Sequence, residues 1–281
     1  MKALLLAAGL GTRLRPLTDF LPKCLAPICG RPLLSYWFET LEAAGIEEIV
    51  VNIHHHADMV RQFVEDGPYA TRVRLVYEKE LLGTGGTLLA NRHLLTDSPV
   101  LVGHADNLSV FDPLEFLARH TSRPQECLLT MMTFSAPEPS SCGIVEVDSR
   151  GVVTAFHEKI HNPPGNLANA AVYIFDQSIF SVLSNFSRKY IDISTEVIPL
   201  LLHRIVCYRN DKLHRDIGTI ESLIAAQFEL SLLVPEQLNR LPALSKVWID
   251  QLRSGNPSLA NRIVESLIPT IGKKIATKRG L

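Results

Sequence analysis

A chain of 281 residues with 46% hydrophobic and 20% charged residues has the make-up of a folded globular protein with a sizeable core, which excludes a disordered chain. The formal net charge of −1 gives no basis for general binding to nucleic acid or to an anionic membrane, and the basic run "KKIATKR" reads as a solvated tail. No stretch approaches the ~20 apolar residues of a membrane-spanning helix. The five scattered cysteines (Cys24, Cys29, Cys127, Cys142 and Cys207) read as reduced thiols of a cytoplasmic protein, since no second close pair completes a zinc site.

The opening "MKALLLAAGLGTRLRP" sets a Lys before an apolar run, as a secretory leader does. The run is short, no small-x-small site follows it, and Arg13 and Arg15 stand where apolar residues should continue. It reads instead as a strand entering a glycine turn. "EEIVVNI", "VRLVYE", "PVLVGH" and "CLLTMMTF" are further buried strands. Between them "RPLLSYWFETLEAAG", "HADMVRQFVE", "TGGTLLANRHLL" and "DPLEFLARH" have helical spacing, with Pro32 expected in a first helical turn and Gly45 at a C-cap. This alternation predicts an α/β fold, a doubly wound, mostly parallel, Rossmann-like sheet covered on both faces. "CGIVEVDSRGVVTAFHEK" then predicts two strands around a turn at Ser149–Gly151, followed by the strand "NAAVYIFD" and helices near Gln177–Leu183 and Thr195–Leu202. The main domain is expected over 1–229. From about Leu230 only helix signals remain, so 230–281 reads as a C-terminal helical extension. Its apolar stripes (Leu238, Leu241, Leu244 and Val247; Leu259, Ile263 and Leu267) must pack on the main domain or on another subunit, a homo-oligomer being one way to cover them. No hexapeptide repeat that would add a β-helix is present.

Gly9, Gly11, Thr12 and Arg13 directly follow the first strand, where backbone N–H groups can turn inward around phosphate oxygens. The run matches neither the dinucleotide fingerprint, because Leu14 fills the third glycine position, nor a Walker loop. "GLGTRLRPLT" continues into "PKCLAP": Arg13 can clamp phosphate through its fork, Lys23 adds a point charge, and Pro16 and Pro22 stiffen the loop. His54–His56 carry no Asp, Glu or Cys partner set, and three adjacent residues at a strand end cannot all point one way, so a structural or exposed role is expected.

With its G-x-G-T-R-x-x-P-x-T loop and nearby Pro-Lys, the chain resembles the sugar-1-phosphate nucleotidyltransferases over about residues 1–229. "EKELLGTGG" (78–86), "GHADNL" (103–108), "CGIVEVD" (142–148), "FHEK" (156–159), "NAAVYIF" (169–175) and "RDIGT" (215–219) follow in family order. Within the family, "LLGTGG" is most similar to the mannose- or heptose-1-phosphate guanylyltransferases. Three residues depart from the pattern: Ala105 stands where the family usually has Gly, His104 before it is unusual, and Asn-Ala-Gly becomes Asn169-Ala170-Ala171.

The resemblance implies attack of a sugar phosphate oxygen on the α-phosphorus of a nucleoside triphosphate, GTP in the first instance, with pyrophosphate leaving. Nucleophile and electrophile are both anions, and two like charges ~4 Å apart repel by about 1 kcal/mol in water and about 4 at an effective dielectric near 20. A phosphate monoester needs no general base, so cations and donors are expected rather than a catalytic His. By resemblance, Arg13, Lys23, Asp106 and Asp216 are the catalytic set, with Asp106 and Asp216 as Mg²⁺ ligands. Leu6, Ala8, Gly9, Gly11, Thr12, Arg13, Gly83 and Thr84 would line the nucleotide, with Glu80 a candidate acceptor for a guanine amino group. Gly143, Glu158, Lys159 and Asn169 would hold the sugar phosphate. Two alternatives stay open: a uridylyl- or thymidylyltransferase on another sugar phosphate, and a non-catalytic, nucleotide-sugar-binding regulatory homologue.

Overall fold

The computed structural model describes residues 1–233. Its strands are β1 (Lys2–Leu6), β2 (Pro27–Ile28), β3 (Arg31–Pro32), β4 (Glu48–Ile53), β5 (Val73–Tyr77), β6 (Val100–His104), β7 (Asn107–Val110), β8 (Leu129–Ser135), β9 (Gly143–Val147), β10 (Val153–Glu158), β11 (Leu167–Phe175), β12 (Ile205–Arg209) and β13 (Leu213–Asp216). The helices are α1 (Leu33–Ala43), α2 (Ala57–Glu65), α3 (Gly83–Ala90), α4 (Arg92–Leu95), α5 (Pro113–Thr121), α6 (Ile179–Ser184) and α7 (Ile220–Leu233). No helix among the described residues is long and apolar enough to cross a membrane.

β1, the opening "KALLL", is a central strand, parallel to β4 on one side and to β6 on the other. The nine-stranded sheet runs β10-β9-β11-β6-β1-β4-β5, with β8 on β11 and β12 on β8. β11 branches it: one edge pairs β8, while the other pairs β6 through Val172–Phe175 and β9 through Ala168. Only β10 and β11 of these strands run against the rest, so the expected mostly parallel, doubly wound sheet is found. Both faces are covered. Ala3, Leu5, Ile49, Val51 and Ile53 face a core with α1 and α7, and Leu4, Leu6 and Val50 face a second core with α3 and α6. Burial on both faces is why these strands read as unbroken apolar runs.

Element ends differ from expectation for local reasons. Pro32 is the residue before α1 rather than within its first turn, and Gly45 closes the helix in the left-handed region with its N–H on Glu42 O at 2.9 Å. The segment "TGGTLLANRHLL" is two helices, because the Asn91 side chain bonds back to Thr87 O at 2.9 Å and the chain breaks there. Near Thr195–Leu202 a wide turn (Ile193–Val197) passes into a tight one (Ile198–Leu201), where Pro199 brings no N–H to continue a helix. The expected 229/230 boundary falls inside α7, and the stripes expected at 238–247 and 259–267 lie outside the described residues. All five cysteines are free, with Cys24, Cys29 and Cys127 buried.

Within β11 the pairing shifts between Asn169 and Tyr173, and Ala171 sits there at φ 53°, in the region that favours glycine. Its N–H is taken by Asn169 Oδ1 at 2.9 Å, which ties down the strained residue. The methyl group that departs from the Asn-Ala-Gly pattern therefore acts on the backbone. Elsewhere His120, buried on α5, bonds Thr130 Oγ1 through Nδ1 at 2.9 Å, and its Nε2 has no partner. Burial, reinforced by Arg123, pushes its pKa down to about 4.

Ala171→Gly should raise stability by about 1 kcal/mol, the left-handed penalty relieved less the greater freedom of an unfolded glycine. A lower urea midpoint for the variant would contradict this. Because the unfolded imidazole takes its proton near 6.5 and the folded one near 4, stability should hold above pH 6.5 and fall by roughly 3 kcal/mol as pH drops through that window. Denaturant midpoints of the wild type and His120→Asn between pH 4 and 7 measure this, the variant giving the flatter profile.

Candidate active site

The site is organised by a two-stranded ribbon outside the main sheet. β13 runs antiparallel to β7 with Asp216 opposite Asn107, so the chain's late carboxylate lands beside Asp106. The Ala105 N–H on Leu6 O at 3.0 Å and the Trp37 Nε1–H on Asn107 O at 3.0 Å fix the loop that carries Asp106. Ala105 is buried with ordinary backbone angles, so the methyl in place of the family's glycine is accommodated. At the other end, Arg215 pairs with Glu229, which fastens β13 to α7.

Lys23 rises into this corner from a short turn after Pro22. Its Nζ lies 2.9 Å from Asp106 Oδ2 and 2.7 Å from Asp216 Oδ1. Arg13 reaches the other oxygen of Asp216 at 3.3 Å from the exposed glycine turn. The Lys23 side chain is 7% exposed. Desolvation opposes its charge, yet the Asp106 and Asp216 carboxylates outweigh it and raise the pKa. Desolvation likewise opposes ionisation of Asp106, and the Lys23 ammonium outweighs it, so that carboxyl stays below its usual range. Two carboxylates from separate strands converging on one point offer hard oxygen donors. That set fits Mg²⁺, which keeps several waters and takes the rest from phosphate. No group of three or more His, Cys, Asp or Glu suited to a metal occurs among the described residues.

Two cavities open beside the cluster at the C-terminal ends of the parallel strands, where open α/β sheets bind ligands. The first is walled by the expected Leu6, Ala8, Gly9, Gly83 and Thr84, together with Asn52, Glu78, Leu81, Thr87, His104, Asp106 and Tyr190. Gly11, Thr12 and Arg13 stand outside its wall on the glycine turn. Glu78 is 6% exposed, and its Oε1 accepts from Asn52 Nδ2 at 3.1 Å and Thr87 Oγ1 at 2.5 Å. Its Oε2 takes no hydrogen bond from the described residues. Glu80 is exposed and lies off this wall. His54 and His55 donate to the carbonyls of Glu78 and Thr18 at 2.8 Å each, a structural use of the triple histidine.

The second cavity is walled by the expected Glu158 and Lys159, with His104, Arg188, Tyr190, Asp192, Ser194, Thr195 and Glu196. Gly143 serves it from behind: a Cβ there would stand 2.7 Å from Glu158 Oε2 and 2.6 Å from the Phe156 ring. Asn169 is not on its wall, since its amide donates to Tyr173 Oη at 2.7 Å and accepts from the Ala171 N–H. Burial pushes the His104 pKa down, Asp106 only partly offsetting it.

The glycines of "LLGTGG" have a use that the sequence did not suggest. Segment 189–193 lies across the start of α3. Ile191 O accepts from the N–H groups of Gly85 and Gly86 at 2.8 and 3.1 Å, and Ile191 N–H bonds Leu82 O at 3.0 Å. Side chains at Gly83 and Gly86 would come within 2.5 and 2.2 Å of the backbone of Ile191 and Lys189. Thr84 Oγ1 accepts the Ile193 N–H at 2.7 Å and bonds Asp192 at 3.3 Å. The strap that carries Tyr190 and Asp192 is thus seated on α3, beside the first cavity.

Residues 2–231 match the family model "Nucleotidyl transferase". The chain is 30% identical over 233 residues to the mannose-1-phosphate guanylyltransferase of Mycobacterium tuberculosis, covering 81% of this chain and 64% of that protein. It is 34% identical over 205 residues to mannose-1-phosphate guanylyltransferase 1 of Arabidopsis thaliana, covering 71% and 55%. It therefore spans roughly three-fifths of the length of these relatives. In fold it is similar to a Bacillus anthracis protein described as a glucose-1-phosphate thymidylyltransferase, with a TM-score of 0.74 at 21% identity over 81% of this chain and 94% of that one. The match across most of its length, on a fold and a site of this kind, makes the chain a member of the nucleotidyl transferase family.

Proposed function

We propose that the protein transfers GMP from GTP to a sugar 1-phosphate, mannose 1-phosphate in the first instance and heptose 1-phosphate in the second, with release of pyrophosphate. The transfer rests on one observation: a corner where Lys23 and Arg13 meet the carboxylates of Asp106 and Asp216 stands next to two cavities that share the wall residues His104 and Tyr190. A nucleoside triphosphate in the first cavity and a sugar phosphate in the second would meet there. A phosphate oxygen attacks the α-phosphorus, the bond to the β-phosphate breaks, and both electrons leave with pyrophosphate. Lys23 faces the α-phosphate and the incoming phosphate, and Arg13 faces the leaving group. Acceleration comes from holding the two anions in line and offsetting their repulsion. Asp106 and Asp216 would hold Mg²⁺, which when bound supplies charge neutralisation on the triphosphate.

Glu78 supports the choice of base. A buried carboxylate accepts and does not donate, and guanine presents N1–H and its 2-amino group as adjacent donors. Uracil and thymine set one N–H between two carbonyl oxygens, which a carboxylate repels. Cytosine and adenine place their amino group next to an acceptor nitrogen. The names of the curated relatives agree with guanine.

Pyrophosphate release with Mg²⁺ across GTP, UTP, dTTP, CTP and ATP, each with mannose-, glucose- and heptose-1-phosphate, tests this directly. Turnover confined to GTP is expected, and preference for UTP or dTTP would overturn the base assignment. Glu78→Gln should lower kcat/KM for GTP by roughly 10- to 100-fold, the worth of one paired base contact, while changing UTP little. Asp216→Asn should lower kcat by about 10²- to 10³-fold while the fold, followed by circular dichroism, stays intact.

A further inference from the structure

The walls of the two cavities divide by chain position. Every lining residue of the nucleotide-side cavity comes from the first 106 residues except Tyr190, and every lining residue of the other comes from Glu158 onward except His104. His104 ends β6, opposite Leu6 of β1, at the border where the next strand, β11, reverses direction. Its imidazole has no hydrogen-bond partner among the described residues, and neither ring nitrogen is shut away from the cavities. Other polar groups at the site are engaged: Lys23 with two carboxylates, Thr84 with Asp192 and Ile193, Glu78 with Asn52 and Thr87. An imidazole at this junction lacks a partner that a ligand would supply.

We propose that His104 is a specificity-determining residue that hydrogen-bonds a pyranose hydroxyl of the sugar 1-phosphate from the nucleotide side. The sugar phosphate is the substrate that must extend from its own cavity toward the other to react, so it passes the residue common to both. Its phosphate end is served by cations, Lys23 at the corner and Lys159 and Arg188 on the far walls. The imidazole offers one donor and one acceptor, as a hydroxyl does. Tyr190, the other shared residue, is 57% exposed and contributes a ring at the mouth. This inference rests on the reading of the chain as a sugar-1-phosphate enzyme and is independent of the choice of guanine.

The test compares wild type, His104→Leu and His104→Asn with whichever nucleotide the wild type uses, varying mannose 1-phosphate and its C2 epimer glucose 1-phosphate. His104→Leu should raise KM for the preferred sugar phosphate at least about tenfold, leave the nucleotide KM within about twofold, and change the ratio of kcat/KM between the two epimers. His104→Asn, which keeps a donor and an acceptor, should recover part of the loss. An unchanged epimer ratio would show that His104 does not discriminate between the sugars, and a rise confined to the nucleotide KM would assign it to the other cavity; either overturns the proposal. If the wild type turns over no pair, the functional reading fails by itself. Calorimetric titration of mannose 1-phosphate then decides His104: binding by wild type that weakens tenfold or more in His104→Leu supports it, and equal or absent binding overturns it.

Discussion

One ammonium group between two carboxylates is the constraint on which the rest of the site depends. Lys23, Asp106 and Asp216 come from a turn, the loop between β6 and β7, and the end of a ribbon, far apart in the sequence, and the Lys23 charge is buried only because both carboxylates meet it. Removing Lys23 would leave Asp106 without its cation, whereas removing either aspartate leaves Lys23 the other carboxylate. The structure therefore spends many of its contacts on holding three backbones in register: Trp37 on the loop of Asp106, the β7–β13 pairing on Asp216, and Arg215–Glu229 on β13 itself.

A second constraint links the two cavities mechanically. The strap at 189–193 closes on α3 through backbone hydrogen bonds and through the space that Gly83 and Gly86 leave open. The glycine-rich helix start and the segment carrying Tyr190 and Asp192, which wall the second cavity, are thereby fastened to one another. The N–H groups of Gly85 and Gly86 already have an internal acceptor in Ile191, so the helix start is closed by protein rather than left open to a ligand anion.

Much of the fold was legible because parallel strands buried on both faces are continuous apolar runs, as "KALLL" and "EIVVNI" are. The cluster was legible for a different reason: the residue types that neutralise phosphate sit in family-ordered motifs, and Arg13, Lys23, Asp106 and Asp216 do converge. What stayed hidden depends on partners distant in sequence. Nothing local marks Tyr190 or Asp192 as wall residues, and the glycines of "LLGTGG" are explained only by a segment more than a hundred residues on. Glu78 did carry a signal, its place directly after strand β5, where chain ends face the ligand side of such sheets. Glu80, two positions on, is exposed and off that wall. Asn169 is a motif residue whose amide is engaged by Tyr173 and by the strained turn at Ala171, contacts that no local pattern signals.

The reversal of direction at β6 and β11 also marks where the walls of the site pass from one stretch of chain to another. The two cavities are walled by separate stretches of chain, each of which lends one side chain, His104 or Tyr190, across the border. A graft of the later stretch alone would import a new wall for the second cavity while retaining the old histidine, and would also replace the residue lent to the first, leaving a hybrid whose two halves meet at both shared positions.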